Sequence, residues 1–296
     1  MRILLALDGS SGAESARALV RALPWPDPSQ VDAIRVVGPL WDLVPMPPAE
    51  ADVPLEELLG IEADRAALTE DVAGIARPGV SVTTDVTIGR AATVIVERAA
   101  ANHADLVVMG SRGRGAIKSM LLGSVSAEVA DHAPCPVLIA RAPTCRRAIV
   151  ALDGTPVSDR IIDRLAGFEF LRDTHLEVVS VAPASTGTGV FMSGAYGAPI
   201  AWYEEAVAAA RDSLEQMASA AAQRLRAAGL EASWSVHTGD PAVTLIEVGQ
   251  RTGAEMIVVG THGRTGMTRF VLGSVAHNVL VHAHQSVLLM REATLG

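Results

Sequence analysis

One stretch of this chain occurs twice. Leu106 to Ser126 reads LVVMGSRGRGAIKSMLLGSVS, and Met256 to Ala276 reads MIVVGTHGRTGMTRFVLGSVA. In each copy a short apolar run closes on a glycine, a glycine-punctuated loop follows, and a Gly-Ser pair opens a helical pattern. Gly110, Gly113, Gly123 and Ser124 share the spacing Gly-x2-Gly-x9-Gly-Ser with Gly260, Gly263, Gly273 and Ser274. Taken singly, such a loop reads as readily as a tight turn with an N-cap. Two copies that both keep basic residues, Arg112 and Arg114 in one and His262 and Arg264 in the other, point to a shared task. Glycine lets a ligand approach the main chain closely. A helix start offers unpaired N–H groups and partial positive charge. Together these bind phosphate, and Ser124 and Ser274 stand where a hydroxyl caps the helix or meets a phosphate oxygen.

Two better-known phosphate loops are excluded. A P-loop needs Lys and Ser/Thr directly after its last glycine, and Ala116 and Ile117 follow Gly115 instead. A dinucleotide fingerprint needs a third glycine where Lys118 stands. The net charge of −9 argues against nucleic acid or an anionic membrane as partner, and suits a small anion held by a local basic loop. The two cysteines, Cys135 and Cys145, read as free thiols of a reducing compartment. Met1 to Leu7 is too brief for a signal peptide and no run reaches membrane-span length, so the expected location is the cytoplasm.

The rest of the chain repeats as well. Ile3 to Leu7, Ala33 to Val37, Val80 to Ile88, Leu106 to Met109 and Pro136 to Ala140 read as strands, most of them continuous apolar runs of the doubly buried kind. Helical patterns lie between them: Ser11 to Leu23, a longer one carrying Leu58, Ile61, Leu68, Val72 and Ile75, and Ala91 to Ala101. From Ile149 the order begins again, and Asp153-Gly154-Thr155 repeats Asp8-Gly9-Ser10 after the first strand. The offset is 145 residues between Asp8 and Asp153 and 150 from Gly89 to Gly239 onward, so the copies differ by five residues upstream of Gly89. The order predicts an α/β chain of two repeated doubly wound domains, 1–143 and 144–296, each a five-stranded parallel sheet flanked by helices. Ligands of such sheets bind beyond the carboxyl ends of the strands, where Asp8, Gly38 and Gly110 converge.

These residues resemble the universal stress protein family in its tandem two-domain form, over nearly the whole chain. The carriers are Asp8 and Asp153 and the two full glycine loops, which mark the branch of the family that binds ATP. The resemblance implies one ATP per domain. Asp8 and Asp153 would lie near adenosine, and Val37 and Val181, ending the second strands, near adenine. Gly110 and Gly260 would let ribose and phosphates lie on the backbone, and Gly113, Gly123 and Ser124, with Gly263, Gly273 and Ser274, would hold the phosphates, Arg114 and Arg264 adding charge. Mg2+ would accompany the triphosphate. Ser126 matches a hydroxyl position of the ATP-binding branch, whereas Ala276 departs from it and weakens the case for the second site. The family also implies that the domains pair through their fifth strands, Val137 to Ala140 and Val287 to Met290, with a homodimer a further option.

For the aspartates a helix N-cap or Asx turn is the competing reading. His282 and His284 form a weak metal signal. No nucleophile–base–orienter set stands out. The expected function is therefore nucleotide-dependent regulation rather than catalysis. A slow ATPase or nucleotide-transferring enzyme, and a nucleotide-independent scaffold, are the alternatives.

Overall fold

The computed structural model of the chain describes residues 1–38, 60–113, 121–182, 200–261 and 272–291. The first half runs β1 (Arg2–Ala6), α1 (Ser11–Ala22), β2 (Ser29–Val37), α2 (Ile61–Asp71), β3 (Val80–Ile88), α3 (Ala91–Ala101), β4 (Leu106–Gly110), α4 (Ser124–His132) and β5 (Val137–Ala140). The second half repeats it as β6 (Arg147–Ala151), α5 (Pro156–Ala166), β7 (His175–Ala182), α6 (Ile200–Ala227), β8 (Ala232–Thr238), α7 (Pro241–Thr252), β9 (Met256–Gly260), α8 (Ser274–His282) and β10 (Ser286–Met290). The expected α/β order is present in both halves. The two five-stranded sheets join into one ten-stranded sheet, β3-β2-β1-β4-β5-β10-β9-β6-β7-β8. Every neighbouring pair is parallel except β5 with β10.

Strand side chains alternate between two cores. Ile3, Leu5, Val108 and Leu138 face the side covered by α1, α2, α5 and α6. Leu4, Val107, Met109 and Ile139 face α3, α4, α7 and α8. Both cores run without a break from one half into the other, which is why the strands read as continuous apolar runs.

The halves meet about a pseudo-twofold axis. Leu138 of β5 stands opposite Leu288 of β10, residues that are equivalent under the 150-residue offset. Equivalent residues also meet on one face of that junction, where the rings of Trp25 and Phe170 lie 4.9 Å apart. On the other face the contacts are exchanged. Arg141 donates to the Leu280 carbonyl of α8 at 2.6 Å, and Arg291 donates to the equivalent Ala130 carbonyl of α4. The strand pairing through the fifth strands is thus satisfied within the chain and hides an edge that would otherwise be open.

Two boundaries in the first half differ from the sequence reading by more than one residue. Strand β2 begins four residues before Ala33, because Ser29 and Val31 point inward while Gln30 and Asp32 alternate with them. Helix α2 stops at Asp71 although the apolar pattern continues, since Val72 and Ile75 are buried by a turn around Gly74 at φ +79°. Leu58 and the segments 39–59 and 183–199 lie outside the described residues.

Candidate functional site

In the first half the strand order reverses between β1 and β4, the position where doubly wound sheets hold ligands. A cavity of about 430 Å³ opens there, at the carboxyl ends of β1, β2 and β4 and on the α3/α4 face. Its floor is apolar: Ala6, Ile34, Val36, Ile95, Met109 and Leu122. The polar side is formed by Asp8, Arg112, Gly113, Gly123, Ser124 and Ser126. The volume falls in the range of small-molecule pockets, about 300–1,000 Å³.

Asp8, Gly110 and Gly113 each stand where they do for a local reason. Asp8 ends β1 in an Asx turn, its Oδ1 accepting the Ser10 N–H at 3.0 Å, and Gly9 supplies the φ of +74° that the turn needs. Ser10 then caps α1 at the Ala13 N–H and donates its own hydroxyl to the Arg112 carbonyl at 3.0 Å, tying the loop after β4 to the start of α1. Gly113 lies against Asp8: a Cβ there would stand 2.6 Å from Oδ2. Gly110 serves packing first, because a Cβ on it would meet the Gly12 carbonyl oxygen at 2.5 Å and the Ala13 nitrogen at 2.8 Å. Gly12, which the sequence reading passed over, makes that close approach possible from the helix side.

Gly123 is different. Its backbone is extended (φ −87°, ψ 158°), and a Cβ would meet Arg112 Cα and Ser111 O at an ordinary 3.5 Å. The fold does not require glycine here. Gly123 is the N-cap of α4 without a side-chain cap bond, and the first turn from Ser124 to Ser126 lines the cavity. Helix N–H groups presented this way attract an anion. The Gly123 N–H itself bonds the Ser111 carbonyl at 2.7 Å, which fixes the turn.

Ser126 is buried, and its hydroxyl proton goes to the Gly110 carbonyl at 2.8 Å. The hydroxyl therefore clamps the strand end to the helix start, and its one O–H is committed to that bond. Ser126→Ala is expected to cost about 1 kcal/mol of stability, read as a lower urea midpoint at unchanged slope. An unmoved midpoint would show that the bond contributes nothing.

Val37 requires a correction. Val36, not Val37, lines the cavity, and Val37 packs on the opposite face with the α1/α2 core. The sheet register shows why: Ala6 pairs with Ile34 as Ala151 pairs with Val179, so the 145-residue offset still holds and matches Val181 to Val36. The partner of Val37 is Ala182, and their carbonyls accept from Gly89 and Gly239 respectively. A slip of one residue in a strand reverses the face.

The second half keeps part of this arrangement. Gly273 caps α8 without a side-chain bond and its N–H meets the Thr261 carbonyl at 2.8 Å, as Gly123 meets Ser111. Ser274 is the first residue of that helix, and Gly260 ends β9. Asp153 is held locally: its Oδ1 accepts the Thr155 N–H at 3.0 Å, the Thr155 hydroxyl at 2.7 Å and the Ser158 hydroxyl. Arg114, Gly115, His262, Gly263 and Arg264 lie outside the described residues.

Elsewhere the structure assembles a set that the sequence spacing hid. His175 sits between Glu231, at 2.9 Å from Nδ1, and Ser233, at 2.8 Å from Nε2. This Glu–His–Ser chain lies at the start of the edge strand β8 and of its neighbour β7, and none of the three residues lines the cavity. Both cysteines are free and buried, and burial pushes their thiols up to about 11 for Cys135 and about 12 for Cys145, so they stay protonated. Burial, with Arg112 nearby, pushes Arg141 down to about 10. Among the described residues there is no cluster of three His, Cys, Asp or Glu side chains able to hold a metal, and no helix long and apolar enough to cross a membrane.

Comparison with known proteins places this geometry. The sequence model of the universal stress protein family matches residues 1–141 and again residues 144–291. A universal stress protein of Mycobacterium tuberculosis is 27% identical over 98% of this chain and 97% of its own length. One from Thermus aquaticus is 36% identical over 47% of this chain and 97% of its own length. Among solved structures, a universal stress protein from Archaeoglobus fulgidus superposes with a TM-score of 0.65 at 18% identity, covering 98% of both chains. At that identity the likeness speaks for the fold.

Proposed function

The chain belongs to the universal stress protein family, and from that premise we propose that its first-half cavity binds ATP and that occupancy is a regulatory state. One observation carries the reading: an apolar cavity and the uncapped first turn of α4 meet at the sheet's switch point. The apolar floor suits an adenine ring. Asp8 brings acceptors for ribose hydroxyls, and the helix start with Arg112 suits phosphates. AMP and cyclic AMP share the adenosine contacts, but the cationic end favours the more highly charged triphosphate. Mg2+ would arrive with that triphosphate, since the described residues bring no metal cluster of their own.

The cavity is suited to binding rather than turnover. Among its described lining residues Asp8 is the one carboxylate, and no His, Lys or Cys stands beside it to move a proton. Regulation then follows from differential affinity, because a ligand shifts an equilibrium only by binding one state better. Freedom from nucleic acid fits the net charge of −9, and a cytoplasmic location fits the two free cysteines.

Gly123→Ala tests the assignment, because the fold has room for the new methyl group. The dissociation constant for Mg-ATP is expected to rise tenfold or more, about 1.4 kcal/mol, at unchanged Tm of the nucleotide-free chain. Unchanged affinity in a calorimetric titration would sink the loop assignment. ATP hydrolysis well above background and lost in Asp8→Asn would replace regulation by an enzymatic reading.

A further inference from the structure

We infer that Arg141 is a positioning residue that ties the phosphate end of the first cavity to the second half, so that a triphosphate held there tightens the junction between the halves. This rests on the reading of the cavity given above and names what its occupancy acts on. Arg141 follows β5 directly. Its N–H and that of Ala142 both donate to the buried Ser286 hydroxyl oxygen at 3.0 Å, at the start of β10. Its guanidinium does not line the cavity but spans three segments. Nη1 donates to the Gln285 carbonyl at 3.1 Å, and Nη2 to the Leu280 carbonyl of α8 at 2.6 Å. Nη2 also reaches the Leu121 carbonyl at 3.4 Å, directly before Leu122 and Gly123, which line the cavity. One planar fork therefore holds the entry to α4 and the end of α8 together.

Charge joins the same two places. The described partners of this guanidinium are carbonyls, with no carboxylate among them. Burial, and after it the positive charge of the cavity-lining Arg112, push its pKa down to about 10. An anion beside Arg112 offsets that repulsion and favours the charged Arg141 in its place. The contact also has room to rearrange, because Arg141 Nε and Gln285 Oε1 are buried with no partner among the described residues. From the other side Arg291 donates to the Ala130 carbonyl of α4, the helix whose first turn lines the cavity. Both arginines thus connect the phosphate end to the junction, in opposite directions.

The experiment compares the full wild-type chain with Arg141→Gln, both stripped of nucleotide. Coupling of binding free energies is reciprocal, so a junction tightened by the triphosphate must, when loosened at Arg141, weaken the triphosphate. Calorimetric titration is expected to show the dissociation constant for Mg-ATP up about fivefold, the low end for coupled sites, and that for adenosine within about twofold. Hydrogen exchange of the amides from Leu280 to Met290, the end of α8 and β10, is expected to slow on saturation with Mg-ATP, and to slow less in Arg141→Gln. Nucleotide bound by the second half acts on both chains alike and drops out of that difference. Arg141→Lys, which keeps the charge but not the fork, is expected to move both readings in the same direction and carries the comparison if Arg141→Gln does not fold. Equal changes for ATP and adenosine, or the same slowing of exchange in variant and wild type, would overturn the inference and leave the proposed function standing. No saturable Mg-ATP binding by the wild-type chain would overturn both.

Discussion

Phe170→Ala is expected to lower the unfolding free energy by about 4 kcal/mol, the range seen when a buried phenylalanine is truncated. Phe170 is fully buried, with Trp25 at 4.9 Å and Phe168 at 5.0 Å between ring centroids. Paired aromatic rings contribute about 0.5–1.5 kcal/mol beyond the area they bury. The site matters because Trp25 and Phe170 are equivalent positions meeting on the pseudo-twofold axis, so the truncation empties the centre of the junction between the halves. The strand pairing there is short, three residue pairs from Val137 to Ile139, and the packing on both faces must supply the rest. Urea unfolding followed by circular dichroism reads the effect as a lower midpoint. A second transition would show the halves uncoupling, since a shared core is what makes unfolding all-or-none. A loss under about 1 kcal/mol would mean that the aromatic pair does not hold the junction.

The sequence made the fold legible because its strongest signal was redundant. Each apolar run was read twice, and the Asp-Gly-hydroxyl turns and glycine loops fixed the alignment of the copies. Contacts between distant residues were not legible. Gly12 and Gly110 are far apart in the chain, and a glycine in the first turn of a helix is unremarkable until the strand end it touches is known. A lone arginine after a strand, as at Arg141 and Arg291, does not announce that it crosses to the other half's helix. Val37 was misplaced for a different reason. Strand ends are the least determined part of a sequence reading, and with a period of two an error of one residue exchanges the cavity face for the core face. The aspartates illustrate a further limit. Asp8 and Asp153 sit in the same local motif, yet Ser10 and Thr155 direct their protons differently, and only three-dimensional neighbours decide which.

The duplication also provides an internal control for the glycines. Gly110→Ala is expected to cost about 3 kcal/mol, the upper end for forcing a methyl group into a filled space. The obstruction is backbone: the Gly12 carbonyl and the Ala13 nitrogen of α1 stand within 2.8 Å of the new carbon. Neither can rotate aside as a side chain would, so β4 and α1 must separate. That separation also moves Arg112 and the loop tied to Ser10, so Mg-ATP affinity is expected to fall together with stability. Gly260 is the same residue of the second loop, but Val157 already keeps α5 off β9. Gly260→Ala is therefore expected to cost less than about 1 kcal/mol. Thermal melts and titrations of the two variants side by side check both expectations. Equal costs would mean that glycine at this position serves the strand itself. In that case the close approach of Gly12 to Gly110 would not be what requires glycine there.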